Sequence, residues 1–260
     1  MTLCAQNISC QIAGKMILSG CEMSLCSGEM IGMIGPNGAG KSSFIKILAG
    51  INIPDTGKVF LDEQPLLKKS PKQLAKIIAY LAQGATTHWP LSVRKLVELG
   101  RLPHQNPWGA LARYDQTIID DAMAQAEVTE LADRIITTLS GGEKLRALIA
   151  RLFATQPEII LADEPIAALD PYHQLHTMEL FRQHCDCGGS AVVVLHDLDM
   201  AARFCDRLLL MNEGRCLYSD TPKNVLTKEN LREVYHIDAS IQETPEGLHV
   251  APAQRLINRP

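Results

Sequence analysis

A glycine-rich segment at residues 35–42 carries the chemistry around which this chain is organised. It matches the phosphate-binding template G-x-x-x-x-G-K-[ST] at every fixed position. Its residues are Gly35, Pro36, Asn37, Gly38, Ala39, Gly40, Lys41 and Ser42. The glycines let backbone N–H groups converge on phosphate oxygens, Lys41 can reach the β and γ phosphates, and Ser42 can hold Mg²⁺. We therefore expect a phosphate-bearing ligand here, with Ser43 as a further contact.

The residues on either side of this segment predict the elements that position it. The apolar run over residues 30–34 indicates a buried strand that enters the loop, and residues 43–48 indicate a helix that leaves it. The N-terminus of that helix would point its dipole at the phosphates, because unpaired N–H groups lie at this end.

Polar side chains follow three other predicted strands at the point where each strand ends. Gln83 follows residues 77–82, Asp163 and Glu164 follow residues 159–162, and His196 follows residues 191–195. Ligands of open α/β sheets bind at the carboxyl ends of the strands, so these side chains should meet the phosphate loop.

The four polar residues predict a hydrolytic site. Asp163 suits Mg²⁺ beside Ser42, and Glu164 suits the orientation or polarisation of an attacking water. His196 can hydrogen-bond the γ-phosphate. Only its position at a strand end indicates that Gln83 belongs to the site.

A second glycine-rich helix start follows at residues 139–143. Ser140, Gly141, Gly142 and Glu143 open a predicted helix that runs to Thr155, which gives a second anion-binding N-terminus without a lysine. One physical solution is a two-fold dimer in which each nucleotide lies between the loop of one chain and this helix start of the other.

Charge, apolar runs and cysteine spacing indicate which partners, membrane segments and cysteine sites are to be expected. The 260 residues carry 25 basic and 29 acidic side chains, a net charge of -4, so nucleic acid is not an expected partner. No apolar run reaches the roughly 18 residues of a membrane span. The eight cysteines include no C-x-x-C pair and are expected to be reduced thiols. Polar residues before Cys21 argue against a lipoprotein signal.

The strings GPNGAGKS, LSGGE, IILADEP and AALD, followed by a strand-ending histidine, resemble the ATPases of the ABC type over essentially the whole chain. The resemblance implies an α/β P-loop NTPase fold of the RecA-like type, with a mostly parallel sheet, an N-terminal antiparallel β layer and an inserted α-helical subdomain. It implies ATP and Mg²⁺ as cofactors, with an ATP-binding core at residues 1–83 and 156–260 and a helical signature subdomain at residues 84–155.

The same resemblance implies a role for each site residue. Lys41, Gln83, Glu164 and His196 would be catalytic, with Glu164 as the main catalytic carboxylate. Ser42, Gln83 and Asp163 would bind the metal. Residues 139–143 would be the signature, and Asp170 would lie in the D-loop. Residues 140–143 and Asp170 would contact the nucleotide across a head-to-tail homodimer.

A narrower resemblance, at residues 92–104 and over residues 196–238, is to the ATPase subunits of type II importers for iron siderophores, haem and cobalamin. It implies a peripheral position on the cytoplasmic face of the inner membrane, beneath an integral permease and, indirectly, a periplasmic substrate-binding protein. A soluble ABC ATPase of iron–sulfur cluster assembly is the alternative.

The chain departs from the family at the base end of the nucleotide. An aromatic residue usually stacks on adenine at the position of Ile12, and no aromatic residue occurs before Phe44. Ile12 could give apolar contact only, so we expect weak selection among bases. Leu145 and Ile166 also replace common family residues, but neither change removes a catalytic group.

Overall fold

The computed structural model describes residues 1–84, 89–105, 112–244 and 247–256. The described strands are β1 (Leu3–Ile12), β2 (Lys15–Leu25), β3 (Met30–Ile34), β4 (Thr56–Leu61), β5 (Gln64–Pro65), β6 (Ile78–Leu81), β7 (Ile159–Asp163), β8 (Ser190–Val194), β9 (Arg207–Asn212), β10 (Arg215–Asp220), β11 (Ile237–Thr244) and β12 (Gly247–Arg255). The described helices are α1 (Lys41–Leu48), α2 (Pro71–Ile77), α3 (Val93–Glu98), α4 (Arg113–Gln125), α5 (Gly141–Ala154), α6 (Pro171–Asp186), α7 (Leu198–Phe204), α8 (Pro222–Val225) and α9 (Lys228–Asn230).

The N-terminal strands form an antiparallel sheet in the order β2-β1-β4-β5. β1 and β2 are joined by the two-residue turn Ala13-Gly14, whose φ angles of 49° and 78° are both positive. Such primed turns match the twist of the flanking strands. The predicted β layer is confirmed, and two long strands of it, β1 and β2, precede β3.

The central sheet has six strands in the order β10-β9-β3-β8-β7-β6. The five strands from β9 to β6 run parallel, and β10 is an antiparallel edge strand. Parallel strands end on the same edge, so the loops after β3, β6, β7 and β8 meet there. The predicted, mostly parallel sheet is confirmed.

Alternating residues of the central strands fill two apolar clusters, one on each face of the sheet. In β3, Met30 and Ile34 face the cluster shared with α3 to α7, whereas Ile31 and Met33 face the cluster shared with α1 and the N-terminal sheet. Strands buried on both faces read as continuous apolar runs, which is why β3, β7 and β8 were visible in the sequence.

The chain between β6 and β7 is helical in its described part, as predicted. Here a 3₁₀ turn over Leu99–His104 continues α3 and packs on the last turn of α5. A Cβ on Gly100 would lie 2.4 Å from the Arg151 carbonyl oxygen, so only glycine permits this approach. Gly100 therefore serves close packing, and the C-cap of α3 is Leu99.

The buried Arg101 guanidinium ties this 3₁₀ turn to its surroundings. Its Nε donates to Asp115 Oδ1 at 2.8 Å, and its Nη1 donates to the Ala154 carbonyl oxygen at 2.8 Å. Nε2 of His104 lies 2.9 Å from the Thr155 carbonyl oxygen. These contacts bind the turn to the C-terminal end of α5. The assignment of residues 84–155 to a separate subdomain remains a prediction.

The C-terminal residues add a hairpin that the sequence did not reveal. After α8 and α9, strands β11 and β12 pair antiparallel. Asp199, in α7, accepts a hydrogen bond of 2.8 Å from the Val250 amide and lies 2.8 Å from His249 Nδ1. Ala239 and Val250 join the helical-side core. Among the described helices, none is long and apolar enough to cross a bilayer.

Candidate active site

The glycine-rich loop lies between β3 and α1, as the sequence predicted. Its first residue, Gly35, has a φ of 147°, and a Cβ there would lie 2.1 Å from the Met211 carbonyl oxygen. No other residue type fits this position without displacing β9. Gly40 is the N-cap of α1, so the free N–H groups of the first helical turn and the positive end of the dipole face the loop. The arrangement suits a phosphate group.

Lys41 lies inside the loop, with only 6% of its surface exposed. Its Nζ donates to the Gly35 carbonyl oxygen at 2.6 Å and to the Pro36 carbonyl oxygen at 3.0 Å. Burial lowers the pKa of Lys41, although the Glu164 and Asp163 carboxylates oppose that shift. The loop thus holds a largely dehydrated cation, which strengthens its attraction for phosphate.

Ser42 and Asp163 meet at the adjoining strand end. The Ser42 hydroxyl donates to Asp163 Oδ1 at 3.2 Å, and Asp163 is 1% exposed. Burial raises the pKa of Asp163, while the Ser42 hydrogen bond lowers it. A hydroxyl and a carboxylate form an oxygen donor set that fits Mg²⁺. No group of three His, Cys, Asp or Glu side chains suited to a metal occurs in the described residues, so the ion would also need nucleotide oxygens.

Glu164 and His196 form a pair at the ends of β7 and β8. His196 Nε2 lies 2.6 Å from Glu164 Oε1. The parallel register, which pairs Asp163 with Val194, brings the two residues together. Glu164 has a φ of 54°, an uncommon value for a residue with a side chain. This left-handed backbone turns its carboxylate away from the direction that a continued strand would give it.

One cavity joins most of these residues. It has a volume of about 380 Å³ and is lined by Lys15, Ile17, residues 37–43, Gln83 and Glu164. Lys41, Ser42, Gln83 and Glu164 therefore share a single space, as expected from the strand ends. His196 is not part of this lining, but it contacts Glu164, which is. Ile12 is half-exposed at the end of β1, opposite Lys15 in the strand pairing, and is not part of this lining. Its contact with the base remains a prediction.

The second glycine-rich helix start lies apart from this cavity within the chain. Ser140 is the N-cap of α5: its hydroxyl accepts a bond from the Glu143 amide, and its own amide donates to Glu143 Oε2 at 2.8 Å. This capping box confirms the predicted helix start. Gly142 packs beside the Ala168 carbonyl. Residues 140–143 do not line the phosphate cavity, so their nucleotide contacts remain a prediction.

Asp170 caps the next helix. It is the N-cap of α6, and its carboxylate accepts a hydrogen bond of 3.0 Å from the His173 amide. Its other oxygen lies 2.8 Å from His173 Nδ1. These bonds to the His173 amide and ring lower the pKa of Asp170. The exposed Asp170 lies outside the phosphate cavity, and its contact with nucleotide also remains a prediction.

The sequence did not single out three residues close to the site. Lys15 and Ile17 line the cavity from β2. Tyr80, three residues before Gln83, has a buried hydroxyl without a hydrogen-bond partner in the described part of the chain. Burial and the nearby Asp163 raise the pKa of Tyr80 to about 12. Only its position in β6, shortly before Gln83, could have indicated that Tyr80 lies near the site, because a tyrosine inside an apolar strand usually serves packing.

The model of the family described as "ABC transporter" matches residues 18–167. The chain belongs to this family. It is 39% identical to the hemin import ATP-binding protein HmuV of Pseudomonas putida, over 90% of this chain and 92% of that protein. It is 36% identical to the cobalamin import ATP-binding protein BtuD of Halobacterium salinarum, over 94% of this chain and 61% of that protein.

Solved structures agree with this family. A metal-chelate type ABC transporter in an inward-facing conformation matches with a TM-score of 0.82 and 26% identity, over 97% of both chains. A dimeric ATP-binding cassette bound to ADP and Pi matches with a TM-score of 0.73 and 26% identity, over 85% of this chain and 98% of that one. The predicted ABC ATPase fold and its activity, ATP hydrolysis coupled to transport, are confirmed.

Proposed function

We propose that this ABC ATPase energises an importer for haem, another iron chelate such as a siderophore, or cobalamin. The cavity that brings Lys41, Ser42, Gln83 and Glu164 together carries the hydrolytic half of this proposal. The relatives carry the other half, because those cited above are named import ATP-binding proteins for hemin and cobalamin. An iron–sulfur assembly ATPase would use the same site, but none of these relatives bears such a name.

The residues divide the work of phosphoryl transfer. Lys41 and the N–H groups at the start of α1 bind the phosphates. Ser42 and Asp163 would hold Mg²⁺, with Gln83 as a third candidate ligand; the ion, when bound, neutralises charge on the β and γ phosphates. Glu164 accepts the proton of the attacking water, or orients that water. His196, 2.6 Å from Glu164, fixes the carboxylate and can donate to the γ-phosphate.

The proposed working form is a homodimer. Residues 140–143 and Asp170 lie at exposed helix starts outside the phosphate cavity, so a second copy is needed if they are to contact nucleotide. The dimeric cassette among the structural neighbours supports this arrangement. The dimer would sit on the cytoplasmic face of the inner membrane, against integral permease subunits that receive substrate from a periplasmic binding protein.

Two measurements test this function. The tagged protein is first purified from detergent-solubilised membranes of its own cells. We expect a polytopic membrane protein to copurify in fixed ratio, whereas copurification with a soluble scaffold alone would favour the assembly ATPase. Uptake of labelled haem, ferric siderophore and cobalamin is then measured in cells that carry wild type or Glu164→Gln. The proposal requires loss of uptake of one of these substrates; unchanged uptake of all three would contradict it.

A further inference from the structure

Tyr80 and Asp163, the predicted magnesium ligand, belong to the same face of the central sheet. In β6, Ile78 and Tyr80 face the apolar cluster shared with α1, whereas the residues that alternate with them face the other cluster. In β7, Leu161 faces the α1 side as well. Asp163 is the next residue on that face, and its contact with Ser42 of α1 shows the direction of its carboxylate. Both side chains therefore project into the layer between the sheet and α1.

The strand register brings Tyr80 within reach of this carboxylate. β6 and β7 are parallel neighbours, and Tyr80 pairs with Leu161, two residues before Asp163. With strands about 4.8 Å apart and a rise of about 3.3 Å per residue, the Cα atoms of Tyr80 and Asp163 are about 8 Å apart. An aromatic side chain spans such a diagonal. The pKa of Tyr80, which burial and the Asp163 charge raise to about 12, agrees with this proximity.

Neither group has its full complement of hydrogen bonds within the chain. The Tyr80 hydroxyl is buried and has no hydrogen-bond partner in the part of the chain that the structure describes. Among the described residues, only the Ser42 hydroxyl donates to the Asp163 carboxylate, through Oδ1 at 3.2 Å. A buried donor without an acceptor destabilises a fold, so such a group in a native protein calls for an explanation. A donor and an acceptor that the chain itself does not use thus lie on neighbouring strands.

We propose that Tyr80 is a positioning residue of the magnesium site, and that its hydroxyl donates a hydrogen bond to the Asp163 carboxylate when Mg²⁺ and ATP are bound. The inference rests on the proposed function, which assigns Asp163 to the ion. Carboxylates that hold a metal are themselves held by hydrogen bonds from outer partners, and loss of such a partner costs about 10- to 100-fold in metal affinity. Ser42 is itself a candidate ligand, so Tyr80 is the donor that remains for this task.

The substitution Tyr80→Phe separates this role from a packing role. Phenylalanine keeps the ring in the cluster shared with α1 and removes only the hydroxyl. Because the hydroxyl has no partner within the described chain, its loss should not destabilise the protein in the absence of nucleotide. We expect a midpoint of urea unfolding equal to that of wild type or higher. A lower midpoint would show that the hydroxyl serves the fold and would overturn the proposal.

The magnesium dependence of ATP binding tests the positioning role. Binding of a fluorescent ATP analogue is measured in full-length wild type and Tyr80→Phe, first with a chelator and then over a range of Mg²⁺ concentrations. Both proteins should bind equally with the chelator, whereas Tyr80→Phe should need about tenfold more Mg²⁺ for half-saturation. Tyr218→Phe removes an exposed hydroxyl from β10, and this matched control should behave as wild type. An equal Mg²⁺ requirement in wild type and Tyr80→Phe would overturn the proposal.

A double substitution tests whether Tyr80 acts through Asp163. In an Asp163→Asn background, Tyr80→Phe should not change the Mg²⁺ requirement further, because the carboxylate that Tyr80 orients is gone. The same increase in both backgrounds would contradict the proposal. Wild type that binds ATP without any dependence on Mg²⁺ would overturn the magnesium site of the proposed function together with this inference. A normal dependence in wild type that Tyr80→Phe does not alter would overturn this inference alone.

Discussion

Replacement of Glu164 by glutamine separates hydrolysis from nucleotide binding. Glutamine keeps the size of the side chain and can still hydrogen-bond His196 at the 2.6 Å contact, but its amide cannot accept a proton from water. A positioned general base contributes about 10²- to 10⁴-fold to a rate. At about 1.36 kcal/mol for each tenfold change, the barrier should rise by about 3 to 5 kcal/mol.

ATP binding should survive the same substitution. Lys41 holds the phosphates and donates its hydrogen bonds to loop carbonyl oxygens. The Ser42 hydroxyl donates to Asp163. Neither side chain makes a hydrogen bond to Glu164. Removal of the Glu164 charge also takes away a repulsion that raises the pKa of Asp163. ATP affinity should therefore be equal or higher, and ATP-bound dimers should accumulate.

The assay compares phosphate release, binding of ATP with Mg²⁺, and mass in solution for wild type and Glu164→Gln. Glu158→Gln is the matched control, because Glu158 is an exposed acid directly before β7, at the opposite end of the same strand. It should behave as wild type. Phosphate release by Glu164→Gln above one tenth of the normal rate would refute the role as base. Loss of ATP binding would instead assign Glu164 a structural role.

Three further perturbations test other parts of the structure. Lys41→Ala should lower ATP affinity at least about tenfold, because a dehydrated ammonium next to phosphate is lost; titration with a fluorescent ATP analogue would show this, and unchanged binding would contradict it. Arg101→Ala should lower the free energy of unfolding by about 3 kcal/mol, because it leaves Asp115 without its buried partner. Arg94→Ala, which breaks an exposed pair, should lower it by less than about 1 kcal/mol. Urea unfolding measures both changes. ATP and GTP should bind within about tenfold of each other, because the described residues that line the cavity include no aromatic side chain; much tighter binding of ATP would contradict weak base selection.

The phosphate end of the site could be predicted because its residues are fixed by backbone geometry. Gly35 leaves no room for a side chain, and the parallel register forces Asp163, Glu164 and His196 to one edge of the sheet. Both constraints are local or periodic, so both can be recognised directly in the sequence. The order of polar residues at strand ends was therefore sufficient to predict their convergence.

Other features depend on contacts between distant segments and left no such trace. The hairpin of β11 and β12 alternates weakly, and its packing depends on Asp199, which belongs to α7. The burial of Arg101 depends on the end of α5. The lining of the cavity by Lys15 and Ile17 depends on how the N-terminal sheet lies against the loop. Local patterns cannot report such distances.

The packing of the 3₁₀ turn at Leu99–His104 has a mechanical consequence. Gly100, Arg101 and His104 all contact the last turn of α5 or the residue after it, and the first turn of α5 holds residues 141–143. The 14 residues between these ends form an uninterrupted rod about 21 Å long. A displacement of the 3₁₀ turn would therefore move α5 as a rigid body instead of bending it. The glycine-rich end of α5 would move by a similar amount, so the helix would couple two distant surfaces.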